Sequence, residues 1–275
     1  MRTFFYQLAR VVCIGALVML VGYWARYCGY LLAWAIGFML VALFNIVTML
    51  WHVWQLPRTR KLPLTDTKLL KGTFAFFRQP GVISIVLFIL LYNFGEAQMQ
   101  RIVPLFLMSK ETLGGLGLSN DAVGLVFGCY GTIALSLGAL ASGWCVARFG
   151  LKPCLWSMTS LMVISNMGYL LLADSPKHFA ALAVFVVIAA QACFGLANSA
   201  YMCVLIKVAK HSTYALTWYA LASSLMALGM MLPGMLSGVL LARFTFVVVF
   251  IVILALSLLS FIVTVNLRWD DLGRR

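Results

Sequence analysis

Residues Phe244–Leu267, FTFVVVFIVILALSLLSFIVTVNL, run for 24 positions without a charged side chain. About 20 predominantly apolar residues suffice for a helix to cross a hydrocarbon layer of ~30 Å, and a buried strand or core helix needs fewer. Comparable runs lie outward along the chain, near residues 9–26, 29–54, 81–108, 121–147, 151–173, 178–206 and 214–242. Lipid offers the backbone no hydrogen-bond partners, so only helices and closed barrels satisfy every amide within it. Continuous runs exclude the alternating pattern of a barrel. The expected fold is therefore all-α, a polytopic membrane bundle of about eight transmembrane helices.

Composition agrees. Of the 275 residues 64% are apolar and 10% charged, against roughly a quarter charged in soluble domains. A net charge of +13 would suggest nucleic acid as partner of a soluble protein. Here the bases sit in short connections between apolar runs, so the bilayer is the expected partner and nucleic acid is not. The cysteines, Cys13, Cys28, Cys129, Cys145, Cys154, Cys193 and Cys203, are scattered singly through apolar stretches without a C-x-x-C pair. They read as small hydrophobes, and no metal or cofactor is expected. The first run follows Arg2 and Arg10 but has no small-residue cleavage site before mature soluble sequence, so it reads as a span rather than a secretory signal.

Alternating these spans across the membrane puts fifteen of the 20 Lys and Arg residues on one side and four on the other, with Arg101 inside a span. The positive-inside rule makes the basic side cytoplasmic, including both termini and the 55–80 connection. Pro57, Pro63, Pro80 and the bases among them mark that connection as a solvated linker. On the other face, residues 109–120 form a Gly-rich turn in which Ser119 or Asn120 is suited to N-cap the following span.

A basic turn, Gly143-Trp-Cys-Val-Ala-Arg148-Phe-Gly150-Leu-Lys152, joins the second and third spans after the linker. It resembles the G-x-x-x-D-R-x-G-x-K turn of the major facilitator superfamily of secondary transporters, matching at Gly143, Arg148, Gly150 and Lys152 and departing at Ala147, where the acid belongs. In that family the turn helps gate the cytoplasmic side. Three further segments resemble the AmpG-type muropeptide permease branch: Asn93-Phe-Gly-Glu-Ala-Gln98 leading to Pro104-Leu-Phe-Leu, Gly114-Gly-Leu-Gly-Leu-Ser119, and Ala227-Leu-Gly-Met-Met-Leu-Pro233-Gly-Met-Leu-Ser-Gly238. The resemblance implies the last eight helices of a twelve-helix pattern. Residues 1–56 would be the last two spans of a partial N-terminal bundle, 57–80 a basic cytoplasmic linker, and 81–275 a six-span C-terminal bundle with a short cytoplasmic tail. It implies a location in the bacterial inner membrane, proton-coupled uptake of muropeptides or similar small solutes, and truncation at the N-terminus, with the missing bundle or a partner chain completing the transporter.

Glu96 and Arg101 are the only charged residues deep inside a span. A charge at mid-bilayer costs about 2.5–3.5 kcal/mol on the lenient insertion scale, so something must offset it. Glu96 is therefore read as a proton or substrate site, the alternative being a polar contact that fixes helix packing, with Arg101 or another helix as partner. Five positions, about 140° around the helix, separate it from Arg101, whereas Gln100 at i+4 shares its face. Arg101 could meet an anionic substrate group or snorkel to the outer interface. Asn93, Gln98 and Gln100 widen the polar patch, and Pro104 permits a kink. Gln191, Asn198 and Tyr201 share one face of the sixth span, and Asn166, Tyr169 and Tyr219 are further candidate liners. Interhelical hydrogen bonding would give the same pattern.

Gly124/Gly128, Gly138/Ser142 and Gly234/Gly238 have the four-residue spacing that lets helices approach closely. His52, His178 and His211 lie near span ends and do not converge. An enzyme is not expected, since an intramembrane transferase or protease needs convergent acids, metal ligands or an activated nucleophile, and the sequence has no aspartate pair, Gly-x-Ser-x-Gly or H-E-x-x-H motif. A non-transporting membrane subunit or inactive fragment remains an alternative.

Overall fold

The computed structural model describes residues 17–55, 66–174, 180–210, 212–267 and 269. Cys13, His178, His211, the start of the first expected span and most of the terminal bases lie outside these residues. The chain divides into two units, residues 1–65 and 66–275.

In the first unit, α1 (Leu17–Cys28) turns at Gly29 into α2 (Tyr30–Gln55). The two form a hairpin in which Val21 and Ala33 are buried and Val21 packs on Gly37. Polar side chains on α2 are accommodated locally: Asn45 and Thr48 donate to carbonyls one turn back, and His52 Nδ1 lies 2.7 Å from the Thr48 carbonyl. That is how isolated polar groups avoid an unpaired donor in an apolar medium.

The second unit opens with α3 (Asp66–Arg78), followed by α4 (Val82–Leu91), α5 (Phe94–Met108), the short α6 (Asn120–Val123) leading through π-helical turns at Gly124–Tyr130 into α7 (Gly131–Phe149), and then α8 (Leu151–Asp174), α9 (Ala180–Lys210), α10 (Ala215–Arg243) and α11 (Phe246–Val265). The expected linker begins outside the described residues. Its described part differs from a solvated connection: Asp66–Arg78 is a helix docked on the bundle, because Phe76 is buried edge-on against Trp218 and Trp218 Nε1 donates to the Gly72 carbonyl at 3.1 Å. An alternation of apolar and basic residues was legible there, but the flanking prolines hid it.

Among the described residues seven helices are long and apolar enough to cross a membrane: Tyr30–Gln55, Val82–Met108, Gly124–Phe149, Leu151–Asp174, Ala181–Lys210, Ala215–Arg243 and Phe246–Val265. On the outer-facing turn expected at 109–120, Ser119 Oγ accepts from the Ala122 amide and caps the helix. The bundle is tied together by backbone approach. A Cβ on Gly138 would lie 2.2 Å from the Ala192 carbonyl oxygen, and one on Gly195 2.1 Å from that of Leu135, so α7 and α9 touch main chain to main chain. Of the expected small-residue pairs, Gly138 is buried in this way and Ser142 is buried with its hydroxyl donating to Met158 Sδ of α8 at 3.3 Å, whereas Gly124, Gly128 and Gly238 face open space.

The span Val82–Met108 is not one helix. It breaks at Tyr92–Asn93, between α4 and α5, with neither proline nor glycine at the break. Carbonyls released there are taken by side chains: the Tyr201 hydroxyl donates to the Ile89 carbonyl at 2.9 Å, and the Ser260 hydroxyl donates to that of Tyr92. Gly229 of α10 sits against Leu90 beside the break. Broken helices are tolerated at membrane depth only where protein groups re-satisfy the backbone, as these hydroxyls do.

Candidate functional site

Glu96 lies in the first turn of α5, just past the break, and is 3% exposed. Its Oε1 accepts from Gln100 Nε2 at 2.9 Å, and its Oε2 accepts from Asn166 Nδ2 of α8 at 3.0 Å. Gln100 in turn meets Gln191 of α9, with amide nitrogen to amide oxygen distances of 3.4 and 3.3 Å in the two directions. Asn166–Glu96–Gln100–Gln191 is thus a chain of side chains running across three helices. Pro104 has no N–H to give the Gln100 carbonyl, so the helix loosens one turn beyond the network.

The position of this chain follows from two apolar layers. One contains Phe88, Tyr92, Met162 and Phe194; the other contains Met99, Phe106, Tyr169, Val187 and Phe250. Glu96 falls between Tyr92 and Met99 along its helix, Asn166 between Met162 and Tyr169, and Gln191 between Val187 and Phe194. Asn166 and Gln191 therefore come one each from α8 and α9 to the level of Glu96, with large apolar side chains above and below, and Gln100, one turn along α5, joins Glu96 to Gln191. Low local dielectric strengthens satisfied hydrogen bonds of this kind and makes an unpaired partner costly.

The other candidate residues divide. Arg101 is exposed, with its side chain passing over Gly234 of α10, and makes no hydrogen bond or ion pair with Glu96 among the described residues. Asn93 and Gln98 are buried; both polar atoms of the Asn93 side chain and Oε1 of Gln98 lack a hydrogen-bond partner, while Gln98 Nε2 reaches the Phe94 carbonyl only at 3.5 Å. Asn198 is half-buried on α9. Tyr201 is fully buried and stacked on Tyr92, with ring centroids 4.7 Å apart, and its hydroxyl is committed to the helix break. Tyr92 is similarly engaged, 3.0 Å from Thr159 Oγ1 and donating to the Ala197 carbonyl at 3.1 Å. Asn166 proves to be the partner of Glu96, which its place among several polar residues in spans did not distinguish.

At the basic turn, Gly150 ends α7 with φ of 88°, a left-handed conformation that glycine adopts without strain. Arg148 and Lys152 are exposed and nothing lies close to Gly143. Where an acid would pair with Arg148, its guanidinium stands over aromatic rings instead, 5.4 Å from the centroid of Trp144 and 5.7 Å from that of Phe149. Among the described residues no group of three or more His, Cys, Asp or Glu side chains is placed to hold a metal.

A sequence model of the Major Facilitator Superfamily matches residues 99–274. The chain belongs to the major facilitator superfamily. Within it, the chain is 31% identical over 163 residues to the anhydromuropeptide permease of Escherichia coli strain K12, and the same identity and extent hold for that of Escherichia coli O157:H7. The match covers 59% of this chain and 32% of each permease, so the chain spans about a third of the length of these curated relatives. Asn166→Leu should leave one oxygen of a buried carboxylate without its donor, costing about 1–3 kcal/mol. The expected readout is a thermal midpoint in detergent lower by roughly 2–10 °C, with much of the loss recovered in the double variant Glu96→Leu/Asn166→Leu, which buries no charge.

Proposed function

We propose that this chain acts in secondary active transport, moving a small solute by alternating access around the polar layer at Glu96. Residues 1–56 belong to one bundle and 81–275 to the other, with a cytoplasmic connection between them and both termini on the cytoplasmic side of a bacterial inner membrane. The observation that carries the reading is a carboxylate buried at mid-span between neutral amides, with no cation against it among the described residues. Such a group can carry charge in one conformation and shed it by taking a proton in another. Intramembrane ionisable residues facing a bundle interior commonly mark proton and substrate paths. A helix broken beside the site agrees with the discontinuous helices that surround midplane sites in many transporters.

The unpaired side-chain amide of Asn93 and Oε1 of Gln98 are buried beside the break and suit polar atoms of a solute, and Arg101, exposed on α5, suits an anionic group. Similarity to the anhydromuropeptide permeases supports an anhydromuropeptide as that solute, since its peptide carboxylates and sugar hydroxyls match an arginine and amides. Arg148 and its aromatic partners would serve as the cytoplasmic gating turn with Gly143, Gly150 and Lys152. The test is uptake of labelled anhydromuropeptide into vesicles containing the full chain, with an inward proton gradient imposed. Accumulation that collapses on adding a protonophore is expected. Uptake no greater than that of empty vesicles would overturn transport by this chain.

A further inference from the structure

The helix α3 has three faces, and among the described residues only one is occupied by protein. At 100° per residue, Gly72 and Phe76 share the face turned to α10. Gly72 packs against Tyr214 and Thr217, and Phe76 lies under Trp218, all at the start of α10. Adjoining it, Leu69, Leu70, Phe74 and Phe77 are between 45% and 62% exposed. Beyond them Lys71 and Arg78, seven positions apart and so on one face, are exposed and line a shallow groove with Phe74 and Ala75.

The level of this helix in the membrane follows from its connections. Its last residue, Arg78, is separated from the span Val82–Met108 by only three residues, and its docking partners begin the span Ala215–Arg243. A helix held at the ends of two spans lies at the bilayer surface. There, four large apolar side chains with two bases along their edge have the arrangement of an interfacial amphipathic helix.

We infer that α3 lies in the interface of the bilayer and binds anionic phospholipid headgroups through Lys71 and Arg78, with Leu70, Phe74 and Phe77 among the acyl chains. The apolar face fits lipid, and the bases fit the phosphodiester of an anionic headgroup by charge. The helix thereby tethers the segment entering the broken span to the membrane surface.

The test uses the full chain in nanodiscs of phosphatidylcholine alone and of phosphatidylcholine mixed with phosphatidylglycerol, following hydrogen exchange of amides 66–78. Exchange should be slower with phosphatidylglycerol, by up to about 30-fold if both bases act at the strength usual for an anionic surface. In K71Q/R78Q the two lipids should give equal exchange, and in F74S/F77S exchange should rise in both. Equal exchange of the unaltered chain in the two lipids would overturn the assignment. So would a lipid difference that survives K71Q/R78Q, which would place the anion preference elsewhere on the bundle, or an unchanged F74S/F77S, which would show that the face does not touch acyl chains.

Discussion

Glu96→Gln is expected to abolish uptake driven by a proton gradient while leaving membrane insertion and thermal unfolding close to those of the unaltered chain. The substitution keeps the shape of the side chain and its hydrogen-bonding reach. Both partners are amides, Gln100 at 2.9 Å and Asn166 at 3.0 Å, and an amide can rotate to offer its oxygen where it formerly offered its nitrogen. What the variant loses is the ability to gain and lose a proton. Uptake in proteoliposomes should therefore fall to the level of empty vesicles under a proton gradient, while exchange of labelled for unlabelled solute with no gradient persists. Undiminished gradient-driven accumulation by Glu96→Gln would remove Glu96 from the coupling step and leave it as a packing residue.

A comparably large effect, on folding rather than transport, is expected of Gly195→Ala. The added methyl would stand 2.1 Å from the Leu135 carbonyl oxygen and within 3.0 Å of the Leu135 Cα and carbonyl carbon. All three are backbone atoms, so no side chain can rotate away and α7 and α9 must separate. Overpacking of this kind costs about 1–3 kcal/mol or more, expected here at the upper end and seen as a midpoint in detergent lower by roughly 6–12 °C, with less monodisperse protein recovered. Gly238→Ala is the matched control, since nothing lies within 4 Å of the position, and it should leave the midpoint unchanged. Equal behaviour of the two variants would show that α7 and α9 do not meet as described.

Hydropathy made the spans legible. The expected 29–54, 151–173 and 214–242 end within one residue of Tyr30–Gln55, Leu151–Asp174 and Ala215–Arg243, because insertion in lipid depends on summed apolar character, which each segment carries by itself. Glu96 stood out for the same reason, as a charge in an uncharged run. Its partner did not. Asn166 is 70 positions away, and nothing local separates it from Asn198, which remains half-buried, or from Tyr201, whose hydroxyl serves the backbone. Contacts between helices depend on azimuth and depth, which one sequence does not report when nearly every position is apolar. The same limit applies to glycine: Gly128 and Gly138 look alike in sequence, and only the second meets another helix. The break at Tyr92–Asn93 was illegible because the hydroxyls that satisfy its carbonyls come from α9 and α11.

That dependence has a consequence for the order of assembly. The ribosome delivers Val82–Met108 well before Tyr201 and Ser260, so when this segment first enters the bilayer the groups that cap its interrupted backbone do not yet exist. An unpaired carbonyl in hydrocarbon is costly, which favours a continuous helix in the newly inserted segment. It can bend into its final form only once α9 and α11 lie beside it. The kinked state, and with it the setting of Glu96, is in this sense reached only after insertion, when α11 arrives.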